Sequence, residues 1–253
     1  MFTTFKKAAP LCVAALLSAS LASAEDGGWF ADDTFSGNVS LTSDYVWRGV
    51  SQSNSNWAMQ GGLDYAAPVG LYVGTWASNV AFGGGIEMDF YGGYANELEM
   101  GLSYDVGGNY YAYPKSGDSV EINFFEIYAS LGYTLPIEAA PISLGVGYNY
   151  SPDFFGEDGA AHYINGNASI GLPLDLSLSG EVGYQTVEGD KSTGNNGGLD
   201  GKDGFDYIHY RVGIGYSVKG FDFDLSYHNT TEDTFLGESI ADGRAVFTVS
   251  RSL

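Results

Sequence analysis

Val39–Val80, VSLTSDYVWRGVSQSNSNWAMQGGLDYAAPVGLYVGTWASNV, decides how this chain is read. Val39–Arg48 is rich in β-branched and aromatic residues, Gly49–Asn56 is polar and breaks the run, and Trp57–Ala67 resumes it. Pro68–Gly70 supplies a tight turn before a third run, Leu71–Val80. Strand, polar loop, strand, short turn, strand is the pattern of a β-meander. Arg48 closes the first run, beside aromatic residues and just before the polar loop.

The same stretch carries a family likeness. Ser43-Asp44-Tyr45-Val46-Trp47-Arg48-Gly49-Val50-Ser51-Gln52, then Gln60-Gly61-Gly62-Leu63-Asp64-Tyr65, then Gly70–Val80 and Ile86–Tyr94, resemble the TorF family of proteobacterial outer-membrane porins. The matching motifs cover about the first third of the chain. The resemblance implies an outer-membrane β-barrel, and it implies no substrate and no site residues.

Working outward, nine further strand-like runs follow: Ile86–Ala95, Leu98–Val106 with a continuation toward Tyr113, Glu121–Leu135, Ile142–Tyr150, His162–Leu172, Leu174–Val187, Asp206–Val218, Phe221–Asn229 and Arg244–Ser252. Most have the length of a tilted strand that crosses a bilayer, about 9–11 residues. Alternation is clearest late in the chain. Phe221, Phe223, Leu225 and Tyr227 share one face, and Asp222, Asp224, Ser226 and His228 share the other. A soluble sandwich and a membrane barrel both produce such half-apolar strands. The connections favour the barrel. Short ones (Pro68–Gly70, Asn96-Glu97, Pro173, Lys219-Gly220) alternate with long ones such as Gly107–Val120, Ser151–Ala161, Glu188–Phe205 and Thr230–Gly243. Short periplasmic turns and longer outer loops are the mark of a transmembrane barrel. The expected fold is therefore all-β: a transmembrane antiparallel up-and-down β-barrel of about twelve strands. Tyr45, Trp47, Trp57, Tyr65, Tyr94, Tyr104, Tyr133, Tyr148, Tyr150, Tyr184, Tyr216 and Tyr227 fall near strand ends, where interfacial girdles form.

The N-terminus fixes the expected compartment. Lys6 and Lys7, the apolar run Ala8–Leu21 and the small residues Ala22-Ser23-Ala24 compose a secretory signal peptide over residues 1–24. Residues 25–253 then form one barrel domain. Cys12, the single cysteine, leaves with the signal, so the barrel must hold without disulfides. The net charge is −21, and removal of Lys6 and Lys7 makes it two units more negative. Such a chain is not built for nucleic acid, whose phosphates require a basic surface. With 15% aromatic residues and regular strands it is not disordered either.

Catalytic signatures are absent: there is no G-x-S-x-G, no H-E-x-x-H and no phosphate loop. No cofactor, metal or enzymatic activity is therefore expected. His209 and His228, near Arg211, Asp222 and Asp224, suit a hydrated lumen network. The Asp-, Asn- and Gly-rich stretch Gly189–Gly204 does not match a calcium-loop spacing, and a solvated outer loop is expected there. The polar strand faces carry the informative set: Asp44, Arg48, Asp64, Glu87, Asp89, Glu99, Asp105, Glu126, Asp175, Glu181, His209, Arg211, Asp222 and Asp224. Charges are unfavourable against lipid, so these should line the lumen. Their acidic excess points to a porin that passes small hydrophilic solutes or ions by diffusion with a mild preference for cations. It would sit in outer-membrane lipid of a Gram-negative bacterium, delivered by the barrel-assembly machinery. A non-channel structural or adhesive barrel and a secreted β-sandwich binding module are the alternatives.

Overall fold

A computed structural model describes residues 34–99, 101–114, 121–135, 137, 140–189, 204–232 and 239–253. The expected signal peptide and most of the Gly189–Gly204 loop lie outside these residues. The strands are β1 (Phe35–Thr42), β2 (Val46–Trp47), β3 (Val50–Ser51), β4 (Ala58–Ala66), β5 (Leu71–Asn79), β6 (Ile86–Glu97) and β7 (Leu102–Ala112). They continue with β8 (Phe124–Leu135), β9 (Ile142–Ser151), β10 (Ala161–Leu172), β11 (Leu176–Val187), β12 (Phe205–Val218), β13 (Phe221–Thr230) and β14 (Arg244–Ser252).

Twelve of these, β1 and β4–β14, form one closed antiparallel barrel. Each wall strand pairs with its neighbours in sequence, and β1 closes the ring by pairing with both β4 and β14. This up-and-down order rules out a two-sheet sandwich. Short connections and both ends of the wall lie at one rim; the longer connections lie at the other.

Period-2 alternation sorts the side chains. Along β12, Tyr207, His209 and Arg211 are buried while Ile208, Tyr210 and Val212 face outward. Leu63 is 67% exposed and Val212 57%, and Val73, Ile127, Val146, Ile164, Val182 and Leu225 continue the same outer belt. Leaving such side chains in water forgoes about 1.5–3 kcal/mol each, so the belt is explained by contact with lipid.

Among the expected boundaries that move, three bear on the site. The first wall strand ends at Thr42, not Arg48, because Asp44, Tyr45 and Val46 are buried in succession and give no lipid-facing alternation. The chain instead leaves the wall and folds into the lumen as the ribbon β2–β3, paired Val46 to Ser51 and Trp47 to Val50. Arg48 and Gly49, at φ 49° and 84°, make its two-residue reversal, the primed turn that suits hairpin twist. Gly49 is required: a Cβ there would lie 2.5 Å from Thr230 Cγ2 and 2.6 Å from His209 Cβ.

The other two shifts put expected lumen residues into turns. β7 begins at Leu102 because the Leu98 N–H bonds to Leu102 and the Gly101 N–H to Leu98; Glu99 is exposed in that turn. β11 begins at Leu176, since Leu174 and Asp175 take φ 66° and 58° to reverse the chain, and Asp175 is exposed.

Candidate functional site

The lumen of the barrel is the candidate site. Its outer half, beneath the longer connections, is packed. Every wall strand contributes a buried inward residue there: Thr42, Ala58, Ser78, Glu87, Asn109, Glu126, Ser151, Tyr163, Gln185, His209, His228 and Val246. Glu126 and Gln185 are 1% exposed, His209 2% and Asn109 0%. The ring is shut off from bulk solvent because the β2–β3 ribbon packs into it.

Arg48 is the centre of the packing. Its Nη1 and Nη2 donate to the two Glu126 oxygens at 2.9 and 2.7 Å, and Nη1 also donates to Gln185 Oε1 at 2.7 Å. Its guanidinium carbon lies 4.1 Å from the Trp47 ring centre and 4.0 Å from that of Tyr163. Two parallel charge-assisted bonds and two aromatic faces use both the fork and the plane of the group. Glu126 Oε2 also accepts from the Tyr111 hydroxyl at 3.1 Å and from Asn149 Nδ2 at 3.2 Å. A buried carboxylate needs partners of this kind.

Aromatic packing surrounds this pair. Trp47 stacks on Phe154 and meets Tyr111 and Phe124; Tyr111 and Phe124 are stacked at 4.3 Å. Tyr45 packs edge-on against Trp76 and donates to Glu87 at 2.7 Å, and Tyr113 donates to the other Glu87 oxygen at 2.6 Å. Tyr45 and Trp47 therefore belong to the interior and not to an interfacial girdle. Tyr133, Tyr148, Tyr184, Tyr216 and Tyr227 do face outward.

Further ionic contacts tie the ribbon and the wall. Arg244 Nη1 donates to Asp44 at 2.9 Å, and Asp44 also accepts from Ser51 and Ser53. Arg211 Nη2 reaches Asp224 at 2.6 Å, with both side chains 4% exposed, and Arg211 Nη1 donates to Ser179. His209 Nε2 lies 2.9 Å from the Tyr163 hydroxyl and 3.8 Å from Glu181.

Toward the short-turn rim the lumen changes character. Tyr91 donates to Asp64 at 2.5 Å, Tyr72 to Asp105 at 2.7 Å, and Ser217 to Asp222 at 2.5 Å. Tyr72 and Tyr128 share a further short contact. These carboxylates are only half-buried and bond to hydroxyls, not to arginines. Inward glycines let the tyrosines lie against the wall beside them: a Cβ on Gly74 would strike the Tyr91 ring, and one on Gly107 the Tyr128 hydroxyl.

The expected residues thus divide. Arg48, Glu87, Asp89, Glu126 and His209 share the packed outer half; Glu181, Arg211 and Asp224 lie below it, the last two as a buried ion pair; Asp64, Asp105 and Asp222 lie toward the short-turn rim, half-buried; Glu99 and Asp175 lie outside the lumen in exposed turns. Gln185, Tyr163, Tyr111, Asn149 and Arg244 complete the site without having been singled out. A sequence signal for the ribbon exists in Val46-Trp47-Arg48-Gly49-Val50-Ser51, β-formers around a two-residue turn ending in glycine. Among the described residues no cluster of three or more histidines, cysteines or acids is placed to hold a metal.

A closed barrel with an apolar belt and a polar, charged lumen is the architecture of outer-membrane porins. A KdgM porin structure has the same fold, with a TM-score of 0.51 at 10% identity over 86% of this chain and 97% of the other. A NanC porin aligns at 0.49 and 10% identity (85% and 97% covered), and LpxR from Salmonella typhimurium at 0.47 and 12% identity (86% and 99% covered). By sequence, residues 28–253 match the model of a family described as bacterial protein of unknown function (Gcw_chp), and the chain belongs to that family. No curated protein matches it.

Proposed function

We propose that this chain is a porin of the Gram-negative outer membrane, passing small hydrophilic solutes with a preference for cations, and that the β2–β3 ribbon closes its outer half at rest. The observation that carries this is the inner vestibule. Asp64, Asp105 and Asp222 line it, half-exposed and held by hydroxyls, whereas Arg48, Arg211 and Arg244 are each bonded to another carboxylate. Fixed carboxylates in a confined aqueous space concentrate cations. The likeness of Ser43–Gln52 and its neighbours to the TorF porins supports the same reading, as do the signal peptide expected from the sequence and an apolar belt suited to delivery by the barrel-assembly machinery.

The filled ring favours a second reading, a barrel that never conducts and serves as a structural or adhesive element. Planar-bilayer recording separates the two. Wild type should conduct weakly, and Gly49→Ala, which evicts the hairpin tip, should conduct more. In a KCl gradient the reversal potential should favour potassium and should move toward zero in Asp64→Asn/Asp105→Asn/Asp222→Asn. Heat-modifiable, folded protein that is silent in both forms would leave the non-channel barrel as the function.

A further inference from the structure

We propose that the seat of Arg48 is a recognition site for guanidinium-bearing cations, in which the Arg48 side chain is an internal occupant that such a solute replaces. This rests on the porin reading for its purpose, but not for its chemistry.

The seat is built by the wall and not by the ribbon. Glu126 stands on β8, Gln185 on β11, Tyr163 on β10, Tyr111 on β7 and Asn149 on β9. When the ribbon leaves, only Arg48 and the Trp47 face leave with it. What stays has a particular shape. The two Glu126 oxygens accept two parallel N–H bonds, and Gln185 Oε1 accepts a third. Gln185 is held for this by its own amide, which donates to the Thr186 carbonyl at 3.3 Å. The Tyr163 ring covers one flat side at 4.0 Å and is itself fixed by His209. Tyr111 and Asn149 hold Glu126 in place.

Three acceptors and one aromatic face suit a planar, forked cation. An ammonium group is a compact point charge without a plane or a fork, so it uses the carboxylate and little else. The ribbon, by contrast, has little pairing of its own, since β2 and β3 pair through only two residues each, and its place depends on contacts with the rest of the barrel such as the Ser51 N–H to the Ile240 carbonyl. Exchange of Arg48 for a free guanidinium keeps every wall bond satisfied, which simple eviction does not. The free solute must still compete with an occupant tethered at high effective concentration.

The test is isothermal titration of the refolded full chain in detergent with methylguanidinium chloride and with methylammonium chloride. Arg48→Ala should bind methylguanidinium saturably, at least tenfold more tightly than methylammonium and at least tenfold more tightly than wild type does. Adding Glu126→Gln to Arg48→Ala should weaken methylguanidinium at least tenfold. Equal affinity for the two cations, or indifference to Glu126→Gln, would overturn the proposal. Should Arg48→Ala not refold alone, refolding in methylguanidinium becomes the readout: rescue by it and not by methylammonium supports the site, and rescue by neither or by both refutes it. Absence of conductance in lipid would count against the porin reading and leave this site standing.

Discussion

Gly49→Ala isolates the seating of the hairpin. Two effects add at this position. The residue has φ 84°, and a side chain in the left-handed region costs about 1–2 kcal/mol. The new Cβ also meets Thr230 Cγ2 at 2.5 Å and His209 Cβ at 2.6 Å. Neither neighbour turns aside easily, since Thr230 bonds to the Glu232 and Ala241 carbonyls and His209 is stacked on Tyr163. Overpacking of this kind costs about 1–3 kcal/mol. The expected loss is therefore about 2–5 kcal/mol. Gly220→Ala is the internal control: its φ is 79° in the β12–β13 turn, and nothing lies within 4 Å of its Cβ, so it carries only the conformational part, about 1–2 kcal/mol. Urea unfolding in detergent, followed by tryptophan fluorescence, measures both. A Gly49→Ala protein as stable as Gly220→Ala would mean that the ribbon tip is not seated between Thr230 and His209, and the closed outer half would fall with it.

Asp224→Asn should destabilise the barrel by about 3–5 kcal/mol, because it strands the buried Arg211, whereas Asp222→Asn, which keeps its partner Ser217, should stay within about 1 kcal/mol of wild type; the same unfolding assay decides. Unheated samples in SDS should migrate apart from boiled ones, since a closed ladder offers detergent no edge, and identical migration would count against closure. An epitope inserted between Asn195 and Asn196, in the β11–β12 connection, should be reached by antibody on intact cells, and one at Lys219-Gly220 should not; the reverse pattern would invert the topology.

The wall was legible in the sequence because its two faces meet different media. Lipid outside and polar groups inside impose strict alternation on β12 and β13, and Ile208, Tyr210 and Val212 declare it residue by residue. Connection lengths sorted the two rims, the short turns at one and the longer connections at the other. The inner ribbon was not legible as such. Asp44–Arg48 has the composition of a strand, and composition does not say whether aromatic residues will face lipid or a dry interior. What separates the two is contact across long stretches of sequence: Arg48 with Glu126 and Gln185, Asp44 with Arg244. Glu99 and Asp175 were misplaced for a simpler reason. Turn residues adjoining a strand continue its parity on paper, while Leu174 and Asp175 break it through positive φ.

The separations across the Arg48 seat also order events in time. Its acceptors lie 78 and 137 residues further along the chain, and the Asp44–Arg244 bond spans 200. Glu126 stands on β8, Gln185 on β11 and Arg244 on β14, so the complete set of contacts exists only once all three strands are in place, and the ribbon is expected to dock late. Before docking, Glu126 and Arg48 are expected to stay hydrated. Contacts that form this late speed unfolding when weakened and leave the folding rate alone. The hairpin is thus the last stone set, and its seating reports that the ring beneath it is complete.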